Sequence, residues 1–516
     1  MSHLPIICSI LTLGVTLIGA GRFPRNGVFK AAVYEHTPVV SQTRSGPSLV
    51  KANLDIYEEQ VLIAASQSVN VIVFPEYGLT GLGWSRDSLR EVAEVIPDPN
   101  EEDSIPCDLP DSNLTQVQQS LSCLAKENNM YIAVNMVSWE QCSPVDDEDC
   151  PGDHFYLYNT NVVYDMTGKL VGRYRKWTLY YETALNEPKA VEHDYFDTPY
   201  GRMGTFICFD VLFEKPAIDL VEKYEIDTAL FPTAWQSKLP LMQGVGFHES
   251  WSILTGTNLL SSELHIPSRQ YAGSGINIGN TGAASYYFDD DILSPPVLLI
   301  SELPIKPSKP IDTDLPHPPP VTEEFDVFDS TMRGDPYRFI ALEWNSNEVY
   351  IQDENTTCYL NYSFAHRDHT ELYALAVFQG LHLSAHNSYL QVCTVIKCGD
   401  INNRDSCGDS VREANSAFSK FTLHGQFSTR YVFPSVVVDG AVPTGNRSGW
   451  EFVLDSVTQR SIIELGERPL VYAALYGRVF ERDTQNPSSY AIGSSGTHTA
   501  PFWIGLLGFF LTVKFG

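Results

Sequence analysis

The placement of cysteines constrains this chain more than any other feature of its 516 residues. Four of the ten, Cys107, Cys123, Cys142 and Cys150, lie in one stretch, and four more, Cys358, Cys393, Cys398 and Cys407, in another. Cys8 sits in an apolar N-terminal run (residues 4–18) that is followed by the small residues Gly19, Ala20 and Gly21. That pattern predicts a cleaved secretory signal over residues 1–20. Loss of Cys8 with the signal leaves an odd count in an oxidising compartment, and hence one thiol without a partner. Cys208 stands far from every other cysteine and is the candidate. Proximity in sequence favours the pairs Cys107–Cys123 and Cys142–Cys150.

Other features point to the same route. Sequons for N-glycosylation occur at Asn113, Asn355, Asn361 and Asn446. Residues 501–513 are apolar and follow the small, polar stretch 493–497. Such a tail is too short to span a bilayer and suits a GPI-anchor signal within residues 482–516. The expected location is therefore extracellular, at the cell surface, with membrane contact only through that anchor. The 34 basic and 63 acidic residues give a formal charge of −29, which argues against nucleic acid or anionic lipid as the main partner.

Along the chain, residues 29–303 alternate helical and strand patterns. Residues 54–69 have helical spacing, and residues 71–74 follow as a short buried strand. Residues 131–137, 204–208 and 228–231 are further strands, and 216–224 reads as a helix. Residues 161–174 form a hairpin around the turn sequence 165–168. This alternation predicts a layered α/β domain. Residues 304–337 begin with a proline-rich run and read as a linker. Residues 338–481, rich in β-branched and aromatic side chains, read as a β-rich second domain.

Three apolar strands of the first domain end in polar residues: Glu76 after residues 71–75, Cys208 at the end of 204–208, and Thr233, Ala234 and Trp235 after 230–232. Ligands in layered α/β folds gather at such carboxyl ends. Taken singly, a strand-end Glu is most often a solvated charge, and a Cys there a small buried hydrophobe. No glycine-rich phosphate loop and no metal-ligand spacing is present, so neither cofactor nor metal is expected.

The segments Phe74-Pro75-Glu76, Gly172-Arg173-Tyr174-Arg175-Lys176 and Ile207-Cys208-Phe209-Asp210 resemble, in order, the three motif blocks of the nitrilase (carbon–nitrogen hydrolase) superfamily. The runs 208–213 and 231–235 are similar to its vanin and biotinidase branch, as are Tyr373-Ala374-Leu375, Cys393-Thr394 and Cys407-Gly408-Asp409-Ser410. The resemblance implies a nitrilase-type α-β-β-α sandwich followed by a β-rich domain. It implies Cys208 as nucleophile, Glu76 as general base and Lys176 as the charge facing the oxyanion. It further implies Glu182 and Trp235 at the substrate pocket. His248 and Glu249 fall in a segment similar to the pocket side, and Arg173 and Arg175 are expected to face solvent. The implied reaction is hydrolysis of a small linear carboxamide through a thioester. The substrate would be pantetheine, or biocytin in the biotinidase manner. A surface protein that keeps the fold without catalysis is the contrasting class.

Overall fold

Buried apolar runs build two six-stranded sheets that face each other. The first contains β1 (Val28–Glu35), β2 (Val71–Val73), β3 (Tyr131–Gln141), β4 (Phe155–Tyr164) and β5 (Leu170–Arg175). The second contains β6 (Asp194–Thr198), β7 (Gly201–Thr205), β8 (Thr228–Pro232), β9 (Asn258–Ser262), β10 (Ser274–Ile278) and β11 (Gly282–Tyr287). β12 (Val297–Pro304) then returns to the first sheet, antiparallel to β1. The strand orders are β12-β1-β2-β3-β4-β5 and β11-β10-β9-β8-β7-β6. The two sheets share a plan, with three parallel strands at the centre, β1-β2-β3 in one and β7-β8-β9 in the other. The computed structural model describes residues 27–40, 46–110, 116–309, 326–344, 346–443, 459–460 and 468–483. The expected signal, the tail beyond 483, and the sequons at Asn113 and Asn446 lie outside the described residues.

Alternation along the strands assigns the faces. Phe29, Ala31 and Val33 of β1 and Val71 and Val73 of β2 meet Met203, Leu230, Leu260 and Ile276 between the sheets. Ala32, Ile72 and Ile132 point the other way, onto Leu54, Tyr57 and Val61 of α1 (Gly46–Ser66) and Leu121 of α2 (Gln116–Asn128). The second sheet is covered by α3 (Gly244–Thr255), giving the α-β-β-α order. Every residue of α3 from Gly244 to Ile253 is buried, as expected of a helix packed on both sides.

What covers the far side of α3 is a second domain, whose strands are all paired antiparallel. It comprises β13 (Val327–Met332), β14 (Asp335–Ala341), β15 (Glu348–Asp353), β16 (Thr356–His366), β17 (Tyr373–His382), β18 (Ser388–Lys397), β19 (Ala417–Gln426), β20 (Val432–Val438), β21 (Val442–Pro443), β22 (Gln459–Arg460) and β23 (Leu470–Arg478). The larger sheet has the order β13-β14-β17-β18-β23-β20-β21 and the smaller β15-β16-β19-β22. β13 and the start of β14 precede residue 338 and belong to this sheet. Phe247 of α3 packs on Phe433 of β20 with ring centroids 5.0 Å apart. Cys358–Cys393 ties β16 to β18 across the core, Cys398–Cys407 closes a nearby loop, and Cys107–Cys123 and Cys142–Cys150 pair as expected. Among the described residues Cys208 is the free thiol.

Two local expectations are corrected. The strand predicted over 204–208 ends at Thr205, so Cys208 opens a turn instead of closing a strand. The helix predicted over 216–224 is an irregular turn, Glu214–Ile218, followed by one helical turn, Asp219–Glu222.

Candidate active site

Glu76 follows β2, Cys208 follows β7, Ala234 and Trp235 follow β8, and Lys176 directly follows β5. All leave their sheets at carboxyl ends. Lys176 lies at the centre, 2% exposed. Its Nζ donates to Glu76 Oε1 at 2.7 Å and to Glu182 Oε2 at 2.6 Å. Asn159 of β4 donates from Nδ2 to both carboxylates, 2.8 Å each. Ala234 N donates to Glu76 Oε2 at 3.0 Å. The Tyr77 hydroxyl and Tyr180 N complete the shell of Glu182. Every oxygen of the two carboxylates thus has a protein donor.

The charges follow from this packing. Burial raises the Glu76 carboxyl above its ordinary range, with Lys176 pulling down and Glu182 pushing up. Burial acts on Glu182 in the same sense, yet Lys176 and the hydrogen bonds outweigh it and hold that group low. For Lys176, desolvation favours the neutral form, but two carboxylates overcome it and fix the cation. The Cys208 thiol, 6% exposed, is pushed well up by burial and then by the Glu76 charge, against the pull of Lys176 and the Thr233 hydroxyl. Burial thus holds the proton on the thiol and raises the proton affinity of the poorly solvated carboxyl near it.

Cys208 occupies the left-handed region at φ +46°, a conformation costly for a side chain and usual where a turn must present one. Asp210 holds that turn. Its carboxylate accepts from Ile207 N at 3.1 Å, Thr178 N at 2.8 Å and the Tyr174 hydroxyl at 2.7 Å, joining the nucleophile turn to the segment that carries Lys176. Burial raises Asp210 to about 6, despite Lys176 and these donors.

The remaining expected residues fall out unevenly. Trp235 packs in the core, stacked on Phe247 with centroids 5.7 Å apart, and its Nε1 donates to Met242 O at 3.0 Å. Both oxygens of Glu182 face protein donors, Lys176 foremost. His248 is buried beside Ser261, its imidazole pushed down to about 3 by burial, and Glu249 accepts from Ala283 N. Arg173 and Arg175 do not face solvent: Arg173 bridges Asp98 and Glu192, and Arg175 pairs with Glu140 over the Tyr158 ring. Three acidic partners at the sheet edge draw these long side chains down.

Tyr77, Asn159, Asp210 and Glu263 were not assigned roles from the sequence. Glu263 follows β9 as Glu76 follows β2, and that parallel is a usable signal. Its carboxylate accepts Trp235 N at 2.9 and 2.8 Å, anchoring the segment whose Ala234 N holds Glu76. Among the described residues no group of His, Cys, Asp and Glu is placed to hold a metal ion.

Residues 30–241 match the carbon–nitrogen hydrolase family and residues 326–483 the vanin C-terminal domain, so the protein is a carbon–nitrogen hydrolase acting on amides. It is 36% identical over 503 residues to a pantetheinase of Sus scrofa, covering 94% of each chain. It is 34% identical to a biotinidase of Bos taurus, covering 88% of this chain and 93% of that one. An amidase from Nesterenkonia sp. superposes with a TM-score of 0.40 at 16% identity, covering 55% of this chain and 94% of that one. The chain belongs to the vanin and biotinidase branch of the nitrilase superfamily.

Proposed function

We propose that the protein hydrolyses the linear amide of pantetheine to pantothenate and cysteamine, with Cys208 as nucleophile. The observation that carries the chemistry is the buried ammonium of Lys176 held between Glu76 and Glu182 beside a free thiol. The likeness to pantetheinases over nearly the whole chain supports the substrate.

The geometry gives each group a task. The amide carbonyl oxygen takes its place near Lys176 Nζ, whose charge stabilises the oxyanion. Cys208 Sγ bonds to the carbonyl carbon as its proton passes to Glu76, which burial has made a stronger base than a solvated glutamate. Because the resting thiol is held protonated, thiolate forms only as the attack proceeds. Glu76 then gives the proton to the departing amine, the C–N bond breaks, and a thioester remains on Cys208. Water, deprotonated by Glu76, attacks the thioester; the acid leaves and the thiol is restored. Glu182 serves as the partner that keeps Lys176 charged and aimed, and Trp235 as a wall held by Glu263.

The test is a substrate panel on the purified enzyme and on Cys208→Ala. Pantetheine turnover exceeding biocytin turnover, and a loss of at least about a thousandfold in the variant, is the expected result. Preference for biocytin overturns the substrate, and activity surviving in Cys208→Ala overturns the nucleophile. The apolar N-terminal run, the sequons and the apolar tail support export and a GPI-anchored surface location, which release by a phosphatidylinositol-specific phospholipase checks. Of the sequons in described residues, Asn355 is exposed, while Asn361 donates to Glu348 at 3.1 Å. Among the described residues no helix is long and apolar enough to cross a membrane.

A further inference from the structure

The nucleophile turn, Cys208–Leu212, is gripped from the second domain. Arg478 ends β23 and has no exposed surface. Its Nε donates to Leu212 O at 2.8 Å, Nη1 to Tyr389 O at 2.7 Å, and Nη1 and Nη2 to the Asp483 carboxylate at 3.0 and 2.6 Å. The guanidinium lies 5.5 Å from the Phe213 ring centroid and 5.0 Å from that of Phe480. His386, on the loop between β17 and β18, reaches the same turn, with its ring 6.3 Å from Phe209 and 6.0 Å from Phe213.

A carbonyl at the end of a helical turn has no donor within the turn, and when buried it needs one from elsewhere. Leu212 O obtains its donor from the other domain. Apolar contacts of Phe247, Phe433 and Tyr476 already dock the domains. A buried ion pair adds little to docking that apolar side chains of like size would not. What the rigid guanidinium fork adds is direction. Cys208 sits in a strained conformation, and such strain persists only where the surroundings over-determine it. Asp210 pins the near end of the turn, and Arg478 pins the far end.

We propose that Arg478, oriented by Asp483, is a positioning residue for the nucleophile: it fixes the far end of the turn so that Cys208 Sγ faces Glu76 and Lys176. The amide chemistry of the first domain then depends on the second. This rests on Cys208 being the nucleophile.

The test uses the full chain carrying Arg478→Ala, Arg478→Lys or Asp483→Asn. Three quantities are read: kcat and KM on pantetheine, the pH profile of Cys208 alkylation by iodoacetamide, and recovery on adding methylguanidinium to Arg478→Ala. The expected result is a fall in kcat of about 10- to 100-fold with KM nearly unchanged, the size set by a displacement of roughly 1 Å at a reacting atom. Alkylation near neutral pH slows in parallel, because Glu76 no longer meets the thiol proton, while alkylation in strong base does not. Methylguanidinium restores part of both rates, and Lys restores less than the natural Arg. Unchanged kcat per alkylatable Cys208, with an unchanged alkylation profile, overturns the proposal. If the Arg478 variants do not fold, Asp483→Asn decides: it leaves the cation in place but unaimed, and must slow alkylation severalfold. Should the natural chain not cleave pantetheine, the alkylation comparison still decides on positioning, and only the substrate reading fails.

Discussion

Replacing Glu182 with Gln removes one of the two negative charges on Lys176 Nζ while keeping the shape of the side chain. Both carboxylates touch the same ammonium, at 2.7 and 2.6 Å. Their charges are therefore about 4–5 Å apart, and at an effective dielectric near 20 they repel by about 3–4 kcal/mol. Glu76 is held high by burial first, with Glu182 adding to the effect. Without that charge the carboxylate of Glu76 is easier to ionise, so its pKa falls. Lys176, left with one anionic partner, draws closer to Glu76 and pushes in the same direction. The acid limb of kcat/KM against pH is therefore expected to move to lower pH. A weaker base accepts the thiol proton less readily, so kcat at neutral pH falls by about 10- to 100-fold. With its carbonyl kept on Lys176 Nζ and Tyr180 N, the Gln amide nitrogen would face the Asn159 Nδ2 donor and the Tyr77 hydroxyl, at a stability cost of about 1–3 kcal/mol. The assay is kcat/KM from pH 4 to 9 beside a thermal melt. An acid limb that stays put or moves up refutes the electrostatic account.

Two further outcomes follow from buried groups away from the site. Asp194 on β6 has one carboxylate oxygen without a hydrogen-bond partner, and burial raises its pKa to about 7. The folded state thus holds a proton that the unfolded chain releases near pH 4, and stability falls as pH rises from about 4 to about 7. Asp194→Asn removes that loss, so its melting temperature should exceed that of the natural chain by more at pH 8 than at pH 5, with up to about 3–4 kcal/mol available; an advantage larger at pH 5 sinks the idea. Replacing Cys358 and Cys393 together by Ala opens a link spanning 35 residues, and loop entropy puts the loss at about 4 kcal/mol. Denaturant midpoints of the two proteins compare it directly, and a difference below about 1 kcal/mol would mean that packing between the two sheets already holds them.

The parts of this architecture open to sequence reading are those set by local pattern. The parallel strands β2 and β8 are short, mostly apolar runs, because both their faces are buried, and the polar residues that follow them stand out. The cysteine pairs within the first cluster follow from separations of 16 and 8 residues. What stayed hidden depends on contacts between distant segments. Asn159 lies on β4, where every residue is buried, and nothing local marks it as the donor shared by two carboxylates. Arg173 and Arg175 alternate with buried neighbours as a solvated face would, yet their acidic partners come from residues 98, 140 and 192. Arg478 resembles any strand-end cation until β23 is docked against the nucleophile turn. The helix expected over residues 216–224 has the right periodicity, but it is reduced to one turn where the chain leaves the Cys208–Leu212 turn.

The raised pKa of Cys208 bears on more than catalysis. All eight other cysteines in the described residues are locked in disulfides, and Cys208 alone among them keeps its thiol. Peroxides and disulfides react with thiolate, and hardly at all with a buried thiol that keeps its proton. The packing that holds the proton on Cys208 thus slows its oxidation at rest. An amide whose carbonyl reaches Lys176 draws that proton onto Glu76; an oxidant with no carbonyl to offer meets a thiol that still holds it and reacts slowly.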